Sequence, residues 1–190
     1  MLSVIIPTHE SERLVVRTLA CLVQGATAGL VREVILADGG STDETQKVAD
    51  VAGCRFMILS GPTGARLKAA ASDARGPWLL FLRPGAILDP EWVTDIQRFL
   101  MTAGDESAPK AAAFRPAVDS TQSVSGQFLQ LLRQLWSGGP KPDHGLLVAK
   151  IIYEQLGGHV ADSGDAEAAL LRKIGRRRIA VLRSGISNFG

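Results

Sequence analysis

Two polar loops in this chain carry residue types that can do chemistry. Pro7-Thr8-His9-Glu10 follows an apolar run at the start, and Asp38-Gly39-Gly40-Ser41-Thr42-Asp43 follows a second one. A carboxylate such as Asp38, set directly after a buried strand, can accept hydrogen bonds from a nucleobase imide or a ribose hydroxyl. Gly39 and Gly40 let the main chain approach such a ligand closely. The same residues also read as a capped turn, with Asp38 and Asp43 serving only the following helix. His9, His144 and His159 are scattered without the spacing of a metal site, and none is assigned a catalytic role. The run Arg172-Lys173-Ile174-Gly175-Arg176-Arg177-Arg178 is the strong charge cluster. It can touch an anionic membrane surface or nucleic acid, or be a solvated helix end whose cations complement the dipole.

These loops need elements to hold them. Leu2 to Ile6 is a continuous apolar, β-branched run ended by Pro7, the pattern of a strand buried on both faces. Ser11 then caps a helix with Leu14, Val15, Thr18, Leu19 and Leu22 at helical spacing. The unit recurs, with a strand over 33–37, a helix capped by Ser41 or Thr42 and running to about Ala52, and a strand over 55–59. An alanine-rich helix over 64–74 and a strand over 78–82 follow. Alternation of this kind predicts an α/β fold with a mostly parallel sheet and helices on both faces. Ligands in such sheets collect at the carboxyl ends of the strands.

Further on, a helix is expected over 91–101, with Asp89 as its cap, and strands over 111–118 and 145–148. Helices over 150–156 and 165–174 and a final strand over 178–182 complete the pattern. Phe128, Leu131, Leu132, Leu135 and Trp136 form an apolar stripe suited to a core-facing helix, or to a membrane or partner.

The chain has 190 residues, the size of one domain, with 46% hydrophobic and 21% charged residues, which excludes a disordered or fibrous chain. Lys and Arg number 21 against 19 Asp and Glu, so no global field recruits nucleic acid, and no nucleic-acid partner is expected. Cys21 and Cys54 are too few for a disulfide scaffold and read as reduced core residues. The start lacks a basic n-region, and no apolar run reaches the roughly eighteen residues of a membrane span. A cytoplasmic location is therefore expected, with contact at the inner face of the membrane left open.

SVIIPTHE, VILADGGSTDET and GARLKAAASDARGPWLLFL, in this order and spacing, resemble the family 2 glycosyltransferases, whose usual forms are SVIIPTxNE, VDGGSTDGT and a G-rich helix before GDxLLFLDAD. DHGLLVAKIIYEQLGGH and GDAEAALLRKIGR continue the resemblance toward the end of the chain. It implies a glycosyltransferase A-type fold in one domain over 1–190, with a Rossmann-like nucleotide-sugar half over 1–103 and an acceptor half over 104–190. The implied reaction moves a sugar from a nucleotide diphosphate donor to an unidentified acceptor, with inversion at the anomeric carbon. By the same resemblance Pro7, Thr8 and Glu10 border the nucleoside, Asp38 holds the base, and Gly39 and Gly40 line the pocket. Arg66 and Lys68 fall where the family places polar residues near the donor, where they can contact the diphosphate or equally form a solvated helix face, and Asp143 and His144 fall on the acceptor side.

Two departures qualify the resemblance. Where the family has its DxD motif, whose carboxylates help hold a divalent cation, this chain has Arg83-Pro84-Gly85. A magnesium or manganese ion would lack its usual oxygen ligands there. Arg83 can instead supply positive charge, because a guanidinium binds phosphate oxygens bidentately; it can equally be a solvated loop residue. The family's catalytic base, found in an acidic pair opening a late helix, aligns with Ala166-Glu167. Glu167 is thus the candidate base, with Asp165 as the alternative. Both also suit a helix N-terminus with no catalysis. A catalytically silent relative that binds a nucleotide sugar or a partner is the rival reading. A generic nucleotide-binding fold is disfavoured, since no G-x-G-x-x-G or Walker A loop follows the first strand.

Overall fold

The computed structural model describes residues 1–104, 108–116, 144–161 and 165–189. The expected stripe from Phe128 to Trp136, and Asp143, lie outside them. The chain runs β1 (Leu2–Thr8), α1 (Glu12–Thr27), β2 (Val31–Asp38), α2 (Thr45–Val51), β3 (Arg55–Ile58), α3 (Thr63–Asp73), β4 (Trp78–Phe81) and β5 (Ala86–Leu88). It continues through α4 (Trp92–Thr102), β6 (Ala111–Pro116), β7 (Leu146–Ala149), α5 (Lys150–Gln155), α6 (Ala166–Ile174), a short 3-10 turn (Arg176–Arg178) and β8 (Ile179–Asn188).

All eight strands form one sheet in the order β3-β2-β1-β4-β7-β6-β8-β5. The half that the repeated strand–helix units predict, β3-β2-β1-β4, is parallel throughout. β7 runs antiparallel to β4 and to β6, β8 parallel to β6, and β5 antiparallel to β8. Alternate side chains of each central strand enter two separate cores, as the two-residue period of a strand requires. Leu2, Val4 and Ile6 of β1 join Val15 and Leu22 of α1 and Trp92, Ile96 and Phe99 of α4. Ile5 faces the other way, into Leu67, Ala70 and Ala71 of α3, Tyr153 of α5 and Leu170 of α6. Helices therefore cover both faces. Ile5 is fully buried, and truncating it to alanine would cost about 2–5 kcal/mol.

Several local expectations change. α2 starts at Thr45 with no side-chain cap from Ser41 or Thr42. Asp89 does not cap α4 with its carboxylate, which accepts the Gly185 N–H at 2.6 Å and so pins β8. β5, three residues long, is too short to leave a sequence pattern, and β8 extends six residues past the expected Leu182 because β5 and β6 both pair with it. Cys21 and Cys54 are free and half-buried against the core. No helix among the described residues is long and apolar enough to cross a membrane.

Candidate active site

β1 and β2 end side by side, with Thr8 paired to Asp38. The Asp38 carboxylate is completely buried and accepts four hydrogen bonds. Oδ1 takes the hydroxyls of Thr8 (2.8 Å) and Ser41 (2.6 Å), and Oδ2 takes the N–H groups of Gly40 and Ser41 (both 2.7 Å). Burial alone would raise this carboxyl, but the bonds from Ser41, Thr8 and Gly40 outweigh it and hold the group below the ordinary aspartate value. Asp38 was expected to face a base. Its lone pairs are instead spent on the loop, because the strand end that positions it also surrounds it with donors.

Glu10 meets a similar fate. Its backbone is left-handed (φ 49°), a conformation that side chains other than glycine adopt at some cost. Its carboxylate accepts the N–H (2.7 Å) and the hydroxyl (3.1 Å) of Thr42, while its own N–H donates to Ser41 Oγ. Asp43 accepts the Glu12 N–H, so the first turn of α1 is satisfied from the other loop rather than by Ser11. The two loops are thus stitched into one unit.

Arg66 of α3 lies beneath this unit, 8% exposed. It donates to the carbonyls of Thr8 (2.7 Å) and Ala37 (2.8 Å) and to Thr63 Oγ1 (3.1 Å). Burial draws its pKa below the usual arginine value, against the opposing charge of Asp38. Its Nε–H is buried and meets no acceptor among the described residues. Gly39 is explained by the same guanidinium, since a Cβ there would come within 3.0 Å of Nη1. The glycine lets the loop pack closely on Arg66. Lys68 is exposed on α3 and stands away from the cleft described next.

That cleft, of about 590 Å³, opens between the ends of β1 and β4 and the first turns of α3 and α6. Pro7, Thr8, Arg66, Arg83 and Glu167, named above as candidates, line it. Glu10, Asp38, Gly39, Gly40 and His144 do not. Pro62 and Thr63 were not anticipated; their signal, a Pro-Thr helix start just after a strand, is present in the sequence. Asp165 also lines the cleft but accepts the Ala168 N–H at 3.0 Å, which makes it the N-cap of α6.

Arg83 and Glu167 meet across the mouth. Nε (3.0 Å) and Nη2 (2.7 Å) of Arg83 both donate to Glu167 Oε2. The turn that carries Arg83 is anchored, with the Ala86 N–H on the Arg83 carbonyl and the Gly85 N–H on the Leu14 carbonyl. Behind it, Phe81 of β4 packs edge-on against His159, with ring centroids 4.7 Å apart, and Tyr153 Oη lies 2.9 Å from His159 Nδ1. Burial, helped by the charge of Lys173, pushes the His159 imidazole down to about 4.

The divalent cation that a DxD motif would hold does not fit these residues. The turn offers a guanidinium in place of carboxylates, Glu167 is engaged by it, and Asp165 is engaged by its own helix. Among the described residues no group of three or more His, Cys, Asp or Glu is placed to hold a metal ion.

Comparison with known proteins bears on the fold and the family. A validoxylamine A glucosyltransferase of Streptomyces hygroscopicus subsp. limoneus is 34% identical over 103 residues, covering 50% of this chain and 23% of that protein. The chain thus matches less than a quarter of that relative's length. The crystal structure of glucosyl-3-phosphoglycerate synthase from Mycobacterium tuberculosis, in complex with Mn2+, UDP and glucosyl-3-phosphoglycerate, superposes with a TM-score of 0.72 at 20% identity. It covers 100% of this chain and 72% of the synthase. The crystal structure of S. aureus TarS 1-349 gives 0.66 at 18% identity, over 95% of this chain and 57% of TarS. Residues 3–117 match the family model described as Glycosyl transferase family 2, and with that span the chain belongs to glycosyl transferase family 2.

Proposed function

We propose that this chain transfers a sugar from a nucleotide diphosphate donor to an acceptor hydroxyl, with inversion. The observation that carries the reading is the cleft at the carboxyl ends of β1 and β4, with a cation and a carboxylate at its mouth. The synthase crystallised with UDP and glucosyl-3-phosphoglycerate supports a nucleotide sugar as the donor class. Pro7, Thr8 and the start of α3 form the nucleoside wall, and Arg83 stands where the diphosphate charge develops as the donor bond breaks. The acceptor oxygen attacks the anomeric carbon from the face opposite the leaving phosphate. Its proton passes to Glu167, and the electron pair of the broken C–O bond leaves with the nucleoside diphosphate. Asp143 and His144 remain candidates for the acceptor side. Contact with an anionic membrane surface would run through Arg172, Lys173, Arg177 and Arg178, all exposed.

Calorimetric titration with UDP and GDP, followed by turnover of the corresponding sugar nucleotides, tests this. A nucleotide diphosphate should bind, and Glu167→Gln should lower kcat by about 10²–10⁴-fold while binding persists. Absence of binding by any nucleotide diphosphate overturns the proposal. Turnover by Glu167→Gln at the wild-type rate removes Glu167 as the base. A second reading, a silent relative that binds without transferring, is favoured by the absence of the DxD carboxylates. Binding with no turnover of any donor would select it.

A further inference from the structure

The end of the sheet opposite the cleft carries a second, smaller pocket of about 380 Å³. β6 and β8 run in the same direction as β4, with the antiparallel β7 between, so their first residues, Ala111 and Ile179, lie at the far end from the cleft. α6 starts at the cleft and ends at the pocket with Ile174, and its nine residues put about 13 Å of helix between the two. We infer that this pocket seats the headgroup of an anionic phospholipid and docks the chain on a membrane by the end away from the cleft. The inference rests on the membrane contact proposed above, which it deepens, and is separate from the donor reaction.

Charge and apolar surface come together there. Lys110, Arg177 and Arg178 line the pocket, and no acidic side chain does among the described residues. Lys110 Nζ already donates to the Ala103 carbonyl, so Arg177 and Arg178, both exposed on the short turn before β8, carry the contact. The floor is apolar, from Ile152 of α5, Leu156 just after that helix and Ile174 of α6. Beside it Ile151, one turn before Gln155 of the rim, is 63% exposed. An apolar side chain left in water next to cations suits a surface that offers anions and hydrocarbon together. A nucleic acid would meet the cations but leave the apolar floor without hydrocarbon, and no aromatic side chain lines the pocket for a base to stack on among the described residues. Lys173 ties the two walls together, its Nζ donating to the carbonyls of Leu156 (3.3 Å) and Gly158 (3.2 Å), so the pocket is built before a lipid arrives. With this end on the bilayer the cleft faces the water, and donor and acceptor reach it from solution.

Co-sedimentation of the full chain with vesicles of phosphatidylcholine, alone or mixed with phosphatidylglycerol, tests the docking. The chain should bind the mixed vesicles and not the neutral ones, and binding should fall as salt is raised. Arg177→Ala combined with Arg178→Ala should weaken it about tenfold or more. Ile151→Ser, which leaves the charge intact, should weaken it about three- to tenfold. Arg115→Ala combined with Arg183→Ala makes the same charge change at exposed arginines of another pocket, and should leave binding within about twofold of the wild type. A thermal melt confirms that each variant folds. Full binding by the Arg177 and Arg178 variant or by Ile151→Ser, or an equal loss from the Arg115 and Arg183 variant, overturns the inference while membrane contact of the chain still stands. Release from the vesicles by inorganic phosphate at constant ionic strength would mark a free-anion site, and equal affinity for a single-stranded oligonucleotide a nucleic-acid face; either result overturns it too. If the wild type binds no anionic vesicle, the membrane contact and the pocket fail together. Nucleotide binding bears on neither, so the donor reading is judged separately.

Discussion

Asp38 and Glu167 are both carboxylates beside the same cleft, and their surroundings are opposite. Asp38 ends β2 fully buried, with four donors from three residues, all within two adjoining loops. Glu167 opens α6 and pairs with the partly exposed guanidinium of Arg83, which comes from a distant turn. A buried carboxylate with every lone pair occupied cannot release a partner without stranding several others, so the β1/β2 junction is scaffold. A screened ion pair at a cleft mouth loses little by changing partners. The enclosed carboxylate of the β1/β2 junction and the partly exposed ion pair at the cleft mouth are thus separated in space.

The contrast can be broken most directly at Asp38. Asp38→Ala would leave the Gly40 and Ser41 N–H groups and two hydroxyls without their acceptor, and should cost about 3–5 kcal/mol in urea unfolding. A loss under about 1 kcal/mol would show that the junction is no scaffold.

The support behind the Arg83 turn should reveal itself through pH. The His159 imidazole is held near 4 in the fold, against an ordinary value of 6.5, so the unfolded chain binds the extra proton between these limits. Stability from this group is therefore complete above the unfolded value and declines as pH falls toward the folded one, by a total on the order of 3 kcal/mol. Thermal melts across that window should show the decline in the wild type and lose this part of it in His159→Gln. Parallel curves would rule the histidine out as the cause.

Gly64 sharpens the comparison at the seam between α3 and α6. A Cβ there would sit 2.2 Å from the Val160 carbonyl oxygen and 2.9 Å from the Ala166 Cβ. Gly64→Ala should destabilise by about 1–3 kcal/mol through overpacking, and should weaken nucleotide binding because both cleft-lining helix starts must shift. Wild-type affinity in this variant would mean that the seam does not set the cleft. The smallest effect belongs to Arg83→Ala, which should change unfolding free energy by no more than about 1 kcal/mol. A loss as large as that of Asp38→Ala would make the pair a structural brace after all.

The strand–helix units through β4 were legible because their signals are local. Continuous apolar runs such as Leu2 to Ile6 and helical spacing such as Val15, Thr18 and Leu22 need no knowledge of distant partners. β5 was missed because three residues carry no period, and β8 was cut short because its second half is fixed by pairing with Ala86–Leu88. Of the residues named from strand exits and motif resemblance, Pro7, Thr8, Arg66, Arg83 and Glu167 line the cleft. Asp38 and Glu10 do not line it, and their carboxylates accept hydrogen bonds from Thr8, Gly40, Ser41 and Thr42. Sequence shows which side chains offer acceptors at a strand end, but not how many donors from the neighbouring loop will already occupy them.

The sequence by itself determined that buried parallel strands alternate with helices, that polar loops leave the first two strands, and that an arginine follows the fourth. Only the tertiary structure decided that the Asp38 carboxylate accepts from Thr8, Gly40 and Ser41, and that Arg83 donates to Glu167. The reason is physical. Propensity and periodicity act over a few residues, whereas the partner of a charge is chosen by distance in space, which the sheet order sets when it brings the end of β4 and the start of α6 to one cleft.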